Sequence, residues 1–220
     1  MPLLTRTRTI IAATVWLALA AAFATRSAQA APDAAFQSAF QHFSSASAGD
    51  NAEVDPAADA FEALLKAEPA NPVLMAYAGA SISLKARTSV LPWKKMSYAE
   101  DGLALLDKSL ALLTPASDAP IQRGTPGSLE VRFVAANTFL AVPDFMNRGA
   151  RGAKLLSDVL ESPLFAKAPL PFKGTVWMRA AELAAKERRA QDARRYLNEV
   201  ITQGAPQAEA AKAKLKEIAA

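Results

Sequence analysis

Few side chains in this 220-residue chain have a type and spacing that support catalysis. His42 is the only histidine and cysteine is absent, so no cysteine–histidine zinc site can form. His42 lies next to Phe40 and Phe43 in a helical apolar pattern, which favours a packed or surface histidine over a catalytic one. We therefore expect no metal site and no histidine-based acid–base chemistry.

Two other patterns resemble fragments of active sites. Asp55 and Asp59 are one helical turn apart, but a capping residue and a solvated acid explain them more simply. The glycine-containing run at 123–127 suggests a phosphate loop, yet no predicted strand precedes it and no lysine follows, so we interpret it as a linker. The sequence thus predicts a protein that is not an enzyme and needs no cofactor.

The elements that would carry any site are predicted to be helices. Apolar residues recur at three- and four-residue spacing, alanine is abundant, and β-branched runs are missing. The predicted helices cover 33–46, 55–68, 72–85, 98–113, 129–142, 151–160 and 207–218, with a helical hairpin beginning near 177. The segments 87–97 and 162–173 predict two long connections. Gly79 falls inside a predicted helix, which favours a close helix crossing there.

The tail of the chain has the most regular pattern. A bulky anchor, small pairs and interlocking apolar positions follow one another at Trp177, Ala180, Ala181, Ala184, Ala193, Leu197 and Val200, with Pro206 at a turn. This spacing resembles the tetratricopeptide repeat. The resemblance implies an all-α, irregular stack of about four helical hairpins with a C-terminal capping helix, and stacks of this kind hold partners more often than they perform chemistry.

A longer block resembles bacterial tetratricopeptide-like exported proteins. The residues that carry this resemblance are 93–96 (WKKM), 102–107 (GLALLD), 130–133 (EVRF) and 140–145 (LAVPDF). The block covers roughly a third of the chain after residue 30. It implies a helical repeat fold and supplies no activity.

The resemblance also implies a groove lined by the first helix of each pair. In the last hairpin the groove positions would be Thr175, Met178, Glu182, Ala185 and Lys186, and in the preceding pair Arg132 and Asn137. Phe133, Ala136 and Leu140 would pack on the opposite face of that preceding helix. The simpler alternative is that the groove side chains are solvated or fill the core.

Trp93 is a separate candidate. Beside Leu91, Pro92 and two lysines, its indole could anchor a protein partner or touch a membrane surface. It could also fold back to cover an incomplete hairpin, which is the interpretation that we favour.

The first 30 residues have the order of a secretory signal. Arg6 and Arg8 precede an uncharged run of 15 residues, 10–24, and Ala28-Gln29-Ala30 follows as a cleavage motif. The run is shorter than the roughly 20 residues that a membrane-spanning helix needs. We expect residues 31–220 to form one exported domain, periplasmic or secreted, with no stable membrane span.

The net charge does not favour binding to nucleic acid. The chain has 25 basic and 21 acidic residues, and the first 30 residues hold three arginines and no acid, which leaves 22 against 21. Two functions remain open. The first is an exported adaptor that binds a protein or peptide, and the second is a periplasmic carrier of a small molecule or lipid in an apolar pocket between helices.

We predict that the signal segment is removed after Ala30, because its apolar run is short and a cleavage motif follows it. Mass spectrometry of the exported protein should find Ala31 at the amino terminus. A mature chain that begins at Met1 and stays in the membrane would contradict this prediction.

Overall fold

The computed structural model describes residues 33–219 and is all-α, as the sequence predicts. Its helices are α1 (33–47), α2 (Val54–Ala67), α3 (Pro72–Thr88), α4 (Pro92–Ala111), α5 (Gly127–Ala141), α6 (Gly149–Glu161), α7 (Pro163–Lys167), α8 (Leu170–Lys186), α9 (Ala190–Thr202) and α10 (Ala208–Ala219). The described residues contain no β-strand, and none of their helices is long and apolar enough to cross a membrane. The predicted signal peptide, 1–30, lies outside the described residues.

Four successive helix pairs and a terminal helix form a stack. The pairs are α1 with α2, α3 with α4, α5 with α6, and α8 with α9, and α10 packs against both helices of the last pair. The helices α3, α5, α8 and α10 lie side by side, since α3 contacts α5, Phe133 of α5 contacts Phe172 of α8, and α8 contacts α10. We call this set the inner row.

Helices α3 and α5 are buried on almost every side. In α3 the residues 73–81 are all buried, and α5 contributes buried side chains from its whole circumference. These two helices therefore form the centre of the stack. Because apolar residues surround them, neither shows the single apolar stripe that marks a surface helix.

Two glycines let α3 and α4 cross at backbone contact. A methyl group at Gly79 would lie 2.7 Å from the carbonyl oxygen of Gly102, and one at Gly102 would lie 2.4 Å from the carbonyl oxygen of Gly79. No side chain fits at either position without moving a helix. The close crossing expected at Gly79 is confirmed, and its contact with α4 offsets the cost of glycine inside a helix, about 1 kcal/mol.

The hydrophobic core has two main parts, and α5 is the wall between them. The amino-terminal part holds Phe36, Phe61, Tyr77, Leu103, Leu106 and Phe139. The carboxyl-terminal part holds Phe133, Leu156, Phe172, Trp177, Leu197 and Val200. Both sides of α5 are committed to packing, whereas the sequence pattern predicted one packed side.

The prediction of two long connections, at 87–97 and 162–173, is wrong. Only Ser89–Leu91 joins α3 to α4, because Pro92 is the first residue of α4 and residues 93–96 are helical. In 162–173, Ser162 accepts a hydrogen bond from the amide of Leu164 and caps the short helix α7, after which α8 begins at Leu170. Proline in both places starts a helix, a position where its missing N–H costs nothing.

The last hairpin agrees with the predicted pattern of burial. All seven of its interlocking residues, from Trp177 to Val200, are buried. The terminal helix α10 covers this hairpin and buries Ala211 against it. These contacts agree with an end cap, and membership of the tetratricopeptide repeat remains a prediction.

Trp177→Ala should destabilise the protein by about 3–5 kcal/mol, because the indole packs edge-on against Phe165 in the carboxyl-terminal core. Phe145→Ala is the matched control, since that ring is 66 % exposed and its loss should change the stability by less than about 0.5 kcal/mol. Denaturant melts measure both. Equal losses in the two variants would show that Trp177 does not hold the hairpin together.

Candidate binding surfaces

Three of the predicted groove positions of α8, Thr175, Glu182 and Lys186, lie on one strip between α5 and α10. Thr175 Oγ1 accepts a hydrogen bond of 2.9 Å from Gln207 Nε2, and Glu182 Oε1 lies 3.0 Å from Lys214 Nζ of α10. Lys186 is exposed near the end of the helix, 3.9 Å from Asp144. Residues at these spacings share one face of a helix, and Thr175 and Lys186 are exposed on it.

Arg179 joins this strip to α5. Its Nη2 donates to the backbone carbonyl of Asn137 (3.3 Å) and its Nη1 lies 3.3 Å from Glu182 Oε2. Its Nε is buried and finds no acceptor among the described residues. We define the α8 strip as Thr175, Arg179, Glu182 and Lys186. Arg179 was not singled out from the sequence, although it is four residues after Thr175 on the same face.

Two of the residues predicted to line the groove, Met178 and Arg132, do not lie on the strip. Met178 is half-buried and packs against the carboxyl-terminal core. Arg132 precedes Asn137 by five residues, which places the two about 140° apart around the axis of α5. Arg132 shares its side of α5 with Ala136 and Phe139, and that side faces α6. The expectation that Arg132 and Asn137 both face the groove is therefore wrong.

Trp93 lies far from the strip in the chain, at the start of α4, and it does not fold back over the hairpin. Its side chain is 68 % exposed, Val90 is 86 % exposed and Met96 is also exposed. Lys94 and Lys95 stand exposed between them. We name these five residues the α4 tip. The interpretation that we favoured from the sequence is wrong, because residues 92–97 at the start of α4 are all exposed.

A buried polar centre was missed in the sequence. The hydroxyl of Tyr77 on α3 donates to Glu130 Oε1 on α5, and Arg123 Nη2 lies 3.6 Å from the same oxygen. Glu130 Oε2 is buried and has no hydrogen-bond partner among the described residues. The Arg123 guanidinium also lies 3.8 Å from the ring centroid of Phe40 on α1. The run 123–127, which we interpreted from the sequence as a linker, thus places the guanidinium of Arg123 beside the buried carboxylate of Glu130.

One signal in the sequence points to this centre: Glu130 is the only acid in a helix that is apolar on all sides. Burial raises the pKa of Tyr77 well above its ordinary value, and the nearby Glu130 raises it further. The unfolded chain therefore loses this proton first as the pH rises. The stabilisation is complete below about pH 10, the ordinary pKa of tyrosine, and declines above it.

Two depressions open at the surface. One, of about 500 Å³, lies on the polar outer side of α9 between Gln191 and Thr202. The other, of about 480 Å³, lies between the α2–α3 turn and the loop that precedes α5, where Pro69, Pro72 and Ile121 make it largely apolar. Neither is enclosed between helices. Within 33–219 no three histidine, aspartate or glutamate side chains come together as metal ligands.

Tyr77→Phe should destabilise the protein by about 1.5–3 kcal/mol, because it removes the hydroxyl donor from a buried carboxylate and leaves the ring in place. Glu130→Gln is the second arm of a double-mutant cycle. A coupling energy below about 0.5 kcal/mol in denaturant melts would show that the two side chains do not stabilise each other.

No protein-family model, no curated protein and no solved structure shows significant similarity to this chain.

Proposed function

We propose that this protein is an exported, non-enzymatic binding protein that holds a protein or peptide partner on the α8 strip. The observation that carries the proposal is Arg179, whose side chain is 25 % exposed and is fixed by the backbone carbonyl of Asn137 and by Glu182. A guanidinium has five N–H donors, so the exposed part of Arg179 can still donate to an incoming carboxylate or carbonyl. The neighbouring helices α5 and α10 hold the strip in place through Asn137 and Lys214.

The charges of the strip suit an acidic or carbonyl-rich segment. Arg179, Lys186 and Lys214 provide three positive charges along this face, against the two negative charges of Glu182 and Asp144. The contact of Lys186 with Asp144 is long and exposed, so a partner could displace it at little cost. An extended peptide that runs along α8 could accept hydrogen bonds from the half-buried Arg179 and from the exposed Lys186.

The alternative function, a periplasmic carrier of a small molecule or lipid, would need an apolar pocket between helices. The two depressions described above both open to solvent and lie at the surface. No observation favours a carrier function over peptide binding at the α8 strip.

Site-specific photo-crosslinking in the native host tests the proposal. A photo-reactive amino acid at Ala185, which is exposed beside the strip, should form adducts with a protein partner. Lys186→Glu should then lower the adduct yield by about fivefold, because a favourable exposed charge contact is worth up to about 1 kcal/mol.

Lys154→Glu is the matched control for this experiment. The Lys154 side chain on α6 is 73 % exposed and that of Lys186 is 72 % exposed, and each lies beside one aspartate. The control should leave the adduct yield unchanged. Equal losses in both variants, or adducts that form only from a probe at Trp93, would contradict binding at the α8 strip.

A further inference from the structure

The α4 tip differs from the rest of the described surface in being both apolar and basic. Only five large apolar side chains are exposed among the described residues, and Val90, Trp93 and Met96 account for three of them. Trp93 and Met96 are three residues apart, so they lie on the same face of α4. Val90 lies two residues before α4, in the short connection from α3.

The charge of the chain segment that carries the tip has one sign. No acid occurs from Arg87 to Ala99, whereas Arg87, Lys94 and Lys95 each carry a positive charge. The first acids, Glu100 and Asp101, follow Trp93 by at least seven residues, or about 10 Å along the helix. The tip therefore presents basic side chains beside an indole, with the first acids of its own helix about one Debye length away.

The size of the apolar patch argues against a stable protein interface. Such interfaces bury about 800 Å² on each partner and use 20–30 residues a side, far more than three side chains offer. A projecting tryptophan with lysines beside it suits the interface of a bilayer, where the indole enters the headgroup region and the ammonium groups meet lipid phosphates. The amides of Trp93 and Lys94, in the first turn of α4, also lack intrahelical acceptors.

We propose that the α4 tip docks the protein on a membrane whose surface carries anionic lipid headgroups. Trp93 and Val90 enter the headgroup region, and Lys94 and Lys95 pair with phosphate groups. The tip is separate from the α8 strip, so this inference does not depend on the proposed function. The contact is peripheral and reversible, because three apolar side chains bury little area.

Vesicle binding of the processed chain, residues 31–220, tests this inference. The probes are vesicles of phosphatidylcholine alone and vesicles of phosphatidylcholine with an equal part of phosphatidylglycerol. We expect flotation with the anionic vesicles at low salt, and little with the neutral ones. Lys94→Glu combined with Lys95→Glu should weaken this binding by about tenfold or more, because each lysine near such a surface contributes about a fivefold attraction.

Two matched variants separate the tip from general effects of charge and aromatic content. Lys212→Glu with Lys216→Glu makes the same change of charge on α10, and Phe145→Ala removes the other strongly exposed aromatic ring. Both should bind the vesicles like the unaltered chain, whereas Trp93→Ala should not. The melting curves of all these variants should coincide, since every altered side chain is exposed.

Fluorescence reports the depth of the contact. The processed chain has two tryptophans, Trp93 and the buried Trp177, so quenching by brominated lipid should come from Trp93 and disappear in Trp93→Ala. Three results would each overturn the inference: no binding of the unaltered chain to anionic vesicles, equal weakening in the α10 variant, or no quenching. Crosslinks from position 93 to a protein, without vesicle binding, would assign the tip to a protein partner instead.

Discussion

The hydrogen bond between Tyr77 and Glu130 holds the centre of the stack together. It joins α3 to α5, the two helices that are buried on nearly every side. The tyrosine ring is at the same time the centre of an aromatic cluster, with Phe36, Phe40 and Phe43 of α1 and Phe61 of α2 around it. A carboxylate in such surroundings is costly to bury without a donor and a cation. Tyr77 and Arg123 supply both.

The positions of the two surfaces with a proposed function depend on the helices that this centre joins. The α8 strip is built on the inner row, because Arg179 reaches across to the backbone of α5. The α4 tip depends on the crossing of Gly79 and Gly102, which sets the direction in which α4 leaves the core. A displaced α3 or α5 would thus move both surfaces, although neither surface touches the polar centre itself.

The sequence predicted the all-α fold and most of the helices well, and the reasons are local. The spacing of apolar residues predicted which residues of the last hairpin are buried. A glycine inside a predicted helix indicated the crossing at Gly79. The errors arose where local patterns have two meanings. Pro92 begins a helix although it was interpreted as part of a long connection. In α5 an apolar pattern on all sides could not show which way Arg132 points, and the Tyr77–Glu130 pair spans 53 residues, beyond the reach of any periodicity.

The division of the core by α5 has a consequence for the order in which the chain can fold. During synthesis the aromatic side chains of α1, α2 and α3 emerge first, and they can meet at once because they are close in the chain. Their outer side stays uncovered until α5 follows some 50 residues later, since only α5 brings the acceptor for Tyr77. The carboxyl-terminal half then closes against the other side of α5, where Phe133 meets Phe172. A nascent chain that stalls before α5 would therefore expose an apolar aromatic surface. We expect chaperones to bind the chain most strongly at this stage.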